Sequence, residues 1–443
     1  MISIFSKQVW LEEQLQAATI QIKNGRIHAV IKEKKENAAQ DFGELIIMPG
    51  VIDAHVHINE PGRTEWEGFE TATKAAARGG TTMLVDMPLN SSPVVVNTSA
   101  FDGKIRAAKG QLNVNCGFWA GAVNEQTEEA IALIKRGCLG VKVFLSHSGL
   151  EEFPNISLPD LDQLMAAVQP YDVPVLAHCE FDTLPAQTNI KNQPQSYSEY
   201  LKSRPKNWEN EAVRAFVALG QKNNCKTHIV HLSSQDLIPW LNKQKEKGNL
   251  SVETCVHYLL FDAEHIDDGN TLYKCAPPIR EQANNQQLKQ ALKNGTLDFI
   301  TTDHSPAPPS IKELKSGNLD KAWGGIAGLQ FLLSGSWTAL KDTLNIAAFI
   351  PLLTSKPAQF LGLDQQMGFL KEGYQANITI WNPNESFLVT PDIIEHKHKA
   401  TPYSGMQLSG VVKHTMVNGQ WVFSEDAFLN LGKGELVLRV VEH

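Results

Sequence analysis

The chain has 443 residues, 42% hydrophobic and 20% charged, enough apolar material for one large core and a small satellite unit. A formal net charge of −8, with no Lys/Arg-rich tract to offset it, argues against a phosphate-backbone partner, so no nucleic acid is expected. The first residues lack the apolar stretch of a signal peptide, and no apolar run approaches the ~20 residues of a membrane span. A cytoplasmic protein with no membrane partner is therefore expected, and six scattered cysteines without a CxxC pair read as its buried, reduced thiols.

Residues 1–44 alternate apolar and polar positions, and Asn24-Gly25 inside them is a two-residue hairpin signal. From 45 to 365, short apolar runs alternate with amphipathic stretches, the rhythm of a parallel sheet. Strands are predicted at 45–53, 81–87, 112–120, 139–145, 173–178, 226–232, 250–255 and 297–302. Helical patterns between them include Glu67–Arg78, ended by Gly79-Gly80 in a left-handed cap, and Glu211–Leu219. Eight such units predict an α/β fold, a TIM-type (β/α)8 barrel over 45–365. An open doubly wound sheet is the alternative, but no Gly-rich nucleotide loop follows the first strand. Residues 366–443 return to β texture, with Asn418-Gly419 as a second hairpin signal. Residues 1–44 and 366–443 are thus expected to form one small β-sandwich from both chain termini.

Chemistry-bearing residues gather at the C-terminal ends of these strands, the rim where barrel active sites are built. They are His55 and His57 in Asp53-Ala-His-Val-His57, Lys142 in Gly140-Val-Lys-Val-Phe144, His178 in Ala177-His-Cys-Glu180, His231 and Asp303. Singly, each reads more simply as a core histidine or a turn residue. Five strand ends each carrying a ligand do not, because chance would scatter them over helices and loops. His55 and His57, two apart on a strand, share a face and can bite one ion. A lysine in a buried parallel strand needs a reason. If carbon dioxide adds to its amine, the carbamate is an anion able to bridge two ions, and the set becomes that of a two-metal hydrolase. Of the other histidines, His396, His398 and His414 are expected at the surface and His228 in the core or in the shell behind the ligands. His257 and His304 are candidates for hydrogen bonds behind the ligands, and His147 for reaching a substrate.

Met48-Pro-Gly-Val-Ile-Asp-Ala-His-Val-His57, with Asn59-Glu-Pro-Gly62, Gly79-Gly-Thr-Thr82, Asp86-Met-Pro88, Lys274-Cys-Ala-Pro-Pro-Ile-Arg280 and Thr302-Asp-His-Ser-Pro306, resembles the amidohydrolase superfamily in its cyclic-amidase branch. The likeness covers essentially the whole chain. It implies two divalent metal ions, zinc in most members, held by the equivalents of His55, His57, Lys142, His178, His231 and Asp303, with the lysine carboxylated. Within the branch of dihydroorotases, hydantoinases and allantoinases, three stretches are most similar to the last: Glu60–Phe69, Asp86–Asn90 and Ala322–Gln330. The resemblance thus implies hydrolysis of the hydantoin ring of allantoin to allantoate, in a homo-oligomer, a tetramer. Hydantoinase or dihydropyrimidinase activity is the rival reading, and a non-catalytic scaffold of the same fold the rival from another class.

Opening a cyclic amide needs an activated water, a polarised carbonyl and a proton for the leaving nitrogen. Asp303, the only acid of the set, is the expected general base and acid. A neutral ring calls for amide partners: Asn59 and Asn90, backbone groups at Ala276, and the glycine-rich Gly324 and Gly325, where the chain can approach closely. Dihydroorotases place an Arg and an Asn where this chain has Asn59 and Leu89, so no cation for a substrate carboxylate is expected.

Overall fold

The computed structural model describes residues 1–33, 35–36 and 39–440. Residues 34, 37, 38 and 441–443, within the two terminal spans assigned to the sandwich, lie outside the described residues. Eight parallel strands form the barrel: Val51–Val56, Thr81–Asp86, Asn115–Phe118 continued by Ala120–Gly121, Val141–Phe144, Val175–His178, Thr227–Ile229, Leu250–Cys255 and Phe299–Thr301. The third strand breaks at Trp119, so its first part pairs with the second strand and its last two residues with the fourth. Closure runs between the ends of strands one and eight, where the His57 N–H donates to His304 O at 2.8 Å beside a parallel Val56–His304 bridge. Inside, Ile52, Met83, Leu176 and Phe299 fill the lower barrel and pack with Leu361 of the segment beneath it.

The apolar run 45–53, expected as one strand, is two. Ile46–Pro49 pairs with Ile378–Leu388 and with Ile2–Leu11 in the terminal sheet, and Val51 then enters the barrel. Gly50 makes the crossing possible, since a Cβ there would fall 2.0 Å from Thr82 Oγ1. An unbroken apolar run gives no polarity change to mark the switch of sheets.

The terminal strands form one hydrogen-bonded sheet of nine among the described residues. Bulges between Ser6 and Val9 and between Ile380 and Trp381 bend it over its own core of Ile4, Ile20, Ile22, Ile378 and Met416, the β-sandwich of both chain ends. Both hairpins carry the expected turn: Asn24 and Gly25 at φ 53° and 76°, Asn418 and Gly419 at 49° and 75°. The helix Phe69–Arg78 buries Phe69, Ala72 and Ala76 against the barrel, and Gly80 at φ 84° ends it. The 211–219 pattern lies within a longer helix, Lys206–Lys222. The six cysteines are free and buried, and among the described residues no helix is long and apolar enough to cross a membrane.

Candidate active site

Strands one and eight end side by side. Asp303 Oδ1 lies 3.1 Å from His55 Nε2 and 3.3 Å from His57 Nε2. These are near the spacing of roughly 3.4 Å that two donors keep around a tetrahedral ion at 2.0–2.2 Å. Strands five and six supply a second pair, His178 Nδ1 and His231 Nε2, 3.0 Å apart. The His55 and His231 rings, 5.6 Å apart, join the two groups. The structure thus brings all six expected ligands to one rim.

The backbone is bent to reach this arrangement. His231 and Asp303 hold left-handed φ values of 41° and 45°, a conformation that non-glycine residues adopt at a cost of about 1–3 kcal/mol when surroundings enforce it. Each turn follows directly on a strand and swings a side chain over the rim. Asp53, fully buried, braces the junction by accepting from the Thr302 hydroxyl at 2.5 Å and the His55 N–H at 3.2 Å. Burial pushes its carboxyl up to about 7.

Three of the four imidazoles have their remote nitrogen engaged. His55 Nδ1 meets Glu253 Oε1 at 2.5 Å, His57 Nδ1 meets Leu89 O at 2.9 Å, and His178 Nε2 meets Glu180 Oε2 at 2.8 Å. Such bonds fix tautomer and ring orientation. Glu253 also meets His228 Nε2 at 3.1 Å and accepts the His231 N–H at 3.3 Å. Burial alone would raise its carboxyl, but His55 and His228 hold it below the usual range. Glu180 is gripped by Arg204, whose Nε donates to Oε1 at 3.1 Å and whose Nη2 donates to Oε2. His231 Nδ1 has no partner among the described residues.

Lys142 is 1% exposed, and its Nζ makes neither a hydrogen bond nor an ion pair among the described residues. It lies 5.0 Å over the Phe144 ring, which stacks on His178 at 4.8 Å. Burial pushes the amine down to about 8, against the opposing fields of Asp303 and Glu253. A buried ammonium without a counter-ion is costly; a neutral amine, or an amine converted to an anion between cations, is not.

A cavity of about 390 Å³ opens above the cluster, and Asn90, Ala276, Gly324 and Gly325 line it. Asn59 does not. It is buried at φ 69° and donates its amide to Pro306 O at 3.2 Å, supporting the loop after strand eight. His147 reaches the rim, its Nδ1 accepting the Gly149 N–H at 3.0 Å.

Three expectations need correction. His396 and His414 are buried, at 0% and 5% exposure, not on the surface; His396 packs 5.6 Å from the His304 ring. His396 lies in a polar stretch and is enclosed by docking on the barrel, whereas His414 is covered within the terminal sheet itself by Phe42 and Trp421. His257 forms no hydrogen bond through either ring nitrogen among the described residues, whereas His304 Nδ1 accepts the Gly328 N–H at 3.1 Å. The cavity is also not free of cations: Arg204 and Lys274, from the loops after strands five and seven, and Lys321, from the segment after strand eight, line it. Nothing local marks Arg204. Glu253 was legible in principle, since a charge amid Leu250-Ser-Val-Glu-Thr-Cys255 is the same signal that singled out Lys142.

The Amidohydrolase family profile matches residues 46–422. The chain is 38% identical to an allantoinase of Arabidopsis thaliana, over 98% of this chain and 90% of that protein. It is equally 38% identical to an allantoinase of Streptomyces avermitilis, over 98% of both. Among solved structures, an L-hydantoinase (dihydropyrimidinase) from Arthrobacter aurescens superposes with a TM-score of 0.91 at 26% identity, covering 99% of this chain and 100% of that one. With the fold, the rim of ligands and these likenesses together, the chain belongs to the amidohydrolase family.

Proposed function

We propose that this chain hydrolyses the cyclic amide of allantoin to allantoate, at a centre of two zinc ions bridged by the carbamate of Lys142. The observation that carries the reading is Lys142 itself, buried without a counter-charge in the field of Asp303 and beside His178. His55, His57 and Asp303 would hold one ion, His178 and His231 the other, and the lysine would join them. Bound there, the ions would supply a Lewis acid for the scissile carbonyl and lower the pKa of water from 15.7 to about 7.

The chain's own residues do the rest. Asp303 turns Oδ1 to the two histidines; its other oxygen takes the proton of the attacking water and returns it to the departing ring nitrogen. Glu253, Glu180 and the Leu89 carbonyl keep the imidazoles aimed through the reaction. Asn90 and the backbone at Ala276, Gly324 and Gly325 meet the ring and its ureido arm. The Gly324 N–H has no partner among the described residues and is free to donate. Arg204 is neutralised by Glu180, and Lys274 is committed to the carbonyls of Ala322 and Asp320 at 2.6 and 3.3 Å, so neither is a ready partner for a substrate carboxylate, which leaves the exposed Lys321 at the cavity mouth. We assign residues 1–44 with 366–443, together with Ile46–Pro49, to the sandwich and the rest of 45–365 to the catalytic barrel. The buried free thiols fit a cytoplasmic setting.

A panel of allantoin, hydantoin, dihydrouracil and dihydroorotate, run with metal analysis on one preparation, tests the reading. Allantoin is expected at least ~10²-fold above dihydroorotate in kcat/KM, the gap left by about two missing charge-assisted bonds. Comparable efficiency on both, or a preference for dihydrouracil or hydantoin, would replace the substrate while leaving the centre. Loss of turnover on every ring despite full metal would favour the scaffold.

A further inference from the structure

The segment after strand eight supplies one wall of the cavity through Trp323, Gly324 and Gly325. Two lysines, Lys312 earlier in the same segment and Lys274 from the loop after strand seven, hold that wall by its carbonyls. Lys312 is 3% exposed and donates to Trp323 O at 3.2 Å and Gly325 O at 2.7 Å. Lys274 donates to Ala322 O at 2.6 Å and Asp320 O at 3.3 Å, and its own carbonyl accepts the Gly325 N–H at 2.8 Å. Two ammonium groups thus take four carbonyls within six residues.

Neither lysine makes an ion pair among the described residues. Burial pushes both down to about 8. A loop that needed only to be tied down could use neutral donors, which do not carry the desolvation cost of a charge. The amide N–H groups here are consumed as well: Ala322 on Asn318 O at 2.9 Å, Trp323 on Ile311 O at 2.8 Å, Gly325 on Lys274 O. The Gly324 N–H is not, and the space a Cβ would fill there is also open.

We propose that Lys274 and Lys312 are positioning residues for substrate recognition: by gripping the carbonyls of 320–325 they present the Gly324 N–H to the cavity and set positive charge behind it. A ring carbonyl of the substrate meets the donor. The inference rests on the cyclic-amide reading.

The test uses the metal-loaded enzyme with Lys312→Met, which keeps length and removes charge, Lys312→Arg, which keeps charge, and Lys274→Met. Metal content, kcat, KM and amide exchange over 311–326 are measured for each. For both Met variants we expect full metal, a KM raised ~10–100-fold with kcat changed less, and exchange faster at 321–326 alone. The Arg variant should recover part of the KM. A KM within two-fold of wild type, or loop exchange unchanged, overturns the proposal. So does metal loss with faster exchange across the whole barrel in the Met and Arg variants alike, which marks a fold-wide role. If the wild type opens a different cyclic amide, the KM ratio is read on that amide. If it opens none, the functional reading fails while the exchange data still decide whether the lysines hold the wall.

Discussion

Glu253→Gln separates the charge of this carboxylate from its shape. The side chain is fully buried and serves three groups: His55 Nδ1 at 2.5 Å, His228 Nε2 at 3.1 Å and the His231 N–H at 3.3 Å. A glutamine fills the same volume and its oxygen still accepts from His55 and His231. Its amide can donate to His228 if that ring shifts its proton to Nδ1, where Ser251 Oγ waits at 2.8 Å. What is lost is charge assistance. Bonds to charged groups are worth about 1.5–3 kcal/mol and neutral ones about 0.5–1.5, so three downgraded bonds cost about 3–4.5 kcal/mol. Metal affinity feels the part that depends on His55 being a basic, oriented donor, and loss of such supporting bonds typically lowers affinity 10–100-fold. Competition of the metal-free enzyme against a chromogenic chelator should therefore show affinity weakened ~10–100-fold. Superimposable competition curves for variant and wild type would refute the assignment of Glu253 as the group that tunes His55.

The remaining predictions concern the centre and the protein's acid stability. Lys142→Ala should lose most bound metal and activity, with Lys142→Glu recovering part of both if its shorter carboxylate reaches; full occupancy in the Ala variant would sink the carbamate. Asp303→Asn keeps an oxygen ligand but cannot take a proton, so kcat should fall at least ~10²-fold with metal content less affected; turnover within a few-fold of wild type would put the base elsewhere. His396 is held neutral by burial, aided by His304, at about 3, against an ordinary 6.5. The stability this gives is present above 6.5 and is lost as pH falls toward 3, because the unfolded ring takes a proton that the folded one refuses. Between pH 7 and 5 that is about 2 kcal/mol, and His396→Gln should flatten this limb in urea unfolding; an unchanged limb would mean that the ring takes its proton without unfolding.

The eight barrel strands and both hairpins were legible because each is a local pattern: an apolar run between helical stretches, or an Asn-Gly pair. The ligand set was legible because metal chemistry restricts the residue types and barrel geometry restricts their place. What escaped was set by tertiary contact. Gly50 divides 45–53 between two sheets because of Thr82, thirty-two positions on. Arg204 joins the site because the loop after strand five folds back on Glu180. Asn59, beside the second histidine in sequence, turns under the loop of Pro306 and leaves the cavity to Asn90.

The buried carboxylates divide the labour in a way that bears on how the centre loads. Glu253 and Glu180 each take the remote nitrogen of one ligand histidine, and the Leu89 carbonyl takes that of His57. Those bonds fix how each ring is turned, so that the opposite nitrogen faces Asp303 or His231. The ring orientations are therefore chosen before any ion arrives. His231 differs: its Nδ1 has no partner, and the Glu253 carboxylate reaches only its backbone N–H. Its left-handed backbone, rather than a carboxylate, aims its ring. Of the two donor groups, His55–His57–Asp303 is thus the better fixed, with every imidazole anchored and a carboxylate already facing both. On the proposed two-ion reading, the His178–His231 group would depend on Lys142 to bring it an anion. This asymmetry then predicts an ordered loading: the first ion would settle on the strand-one histidines and Asp303, and the second would wait on conversion of the lysine.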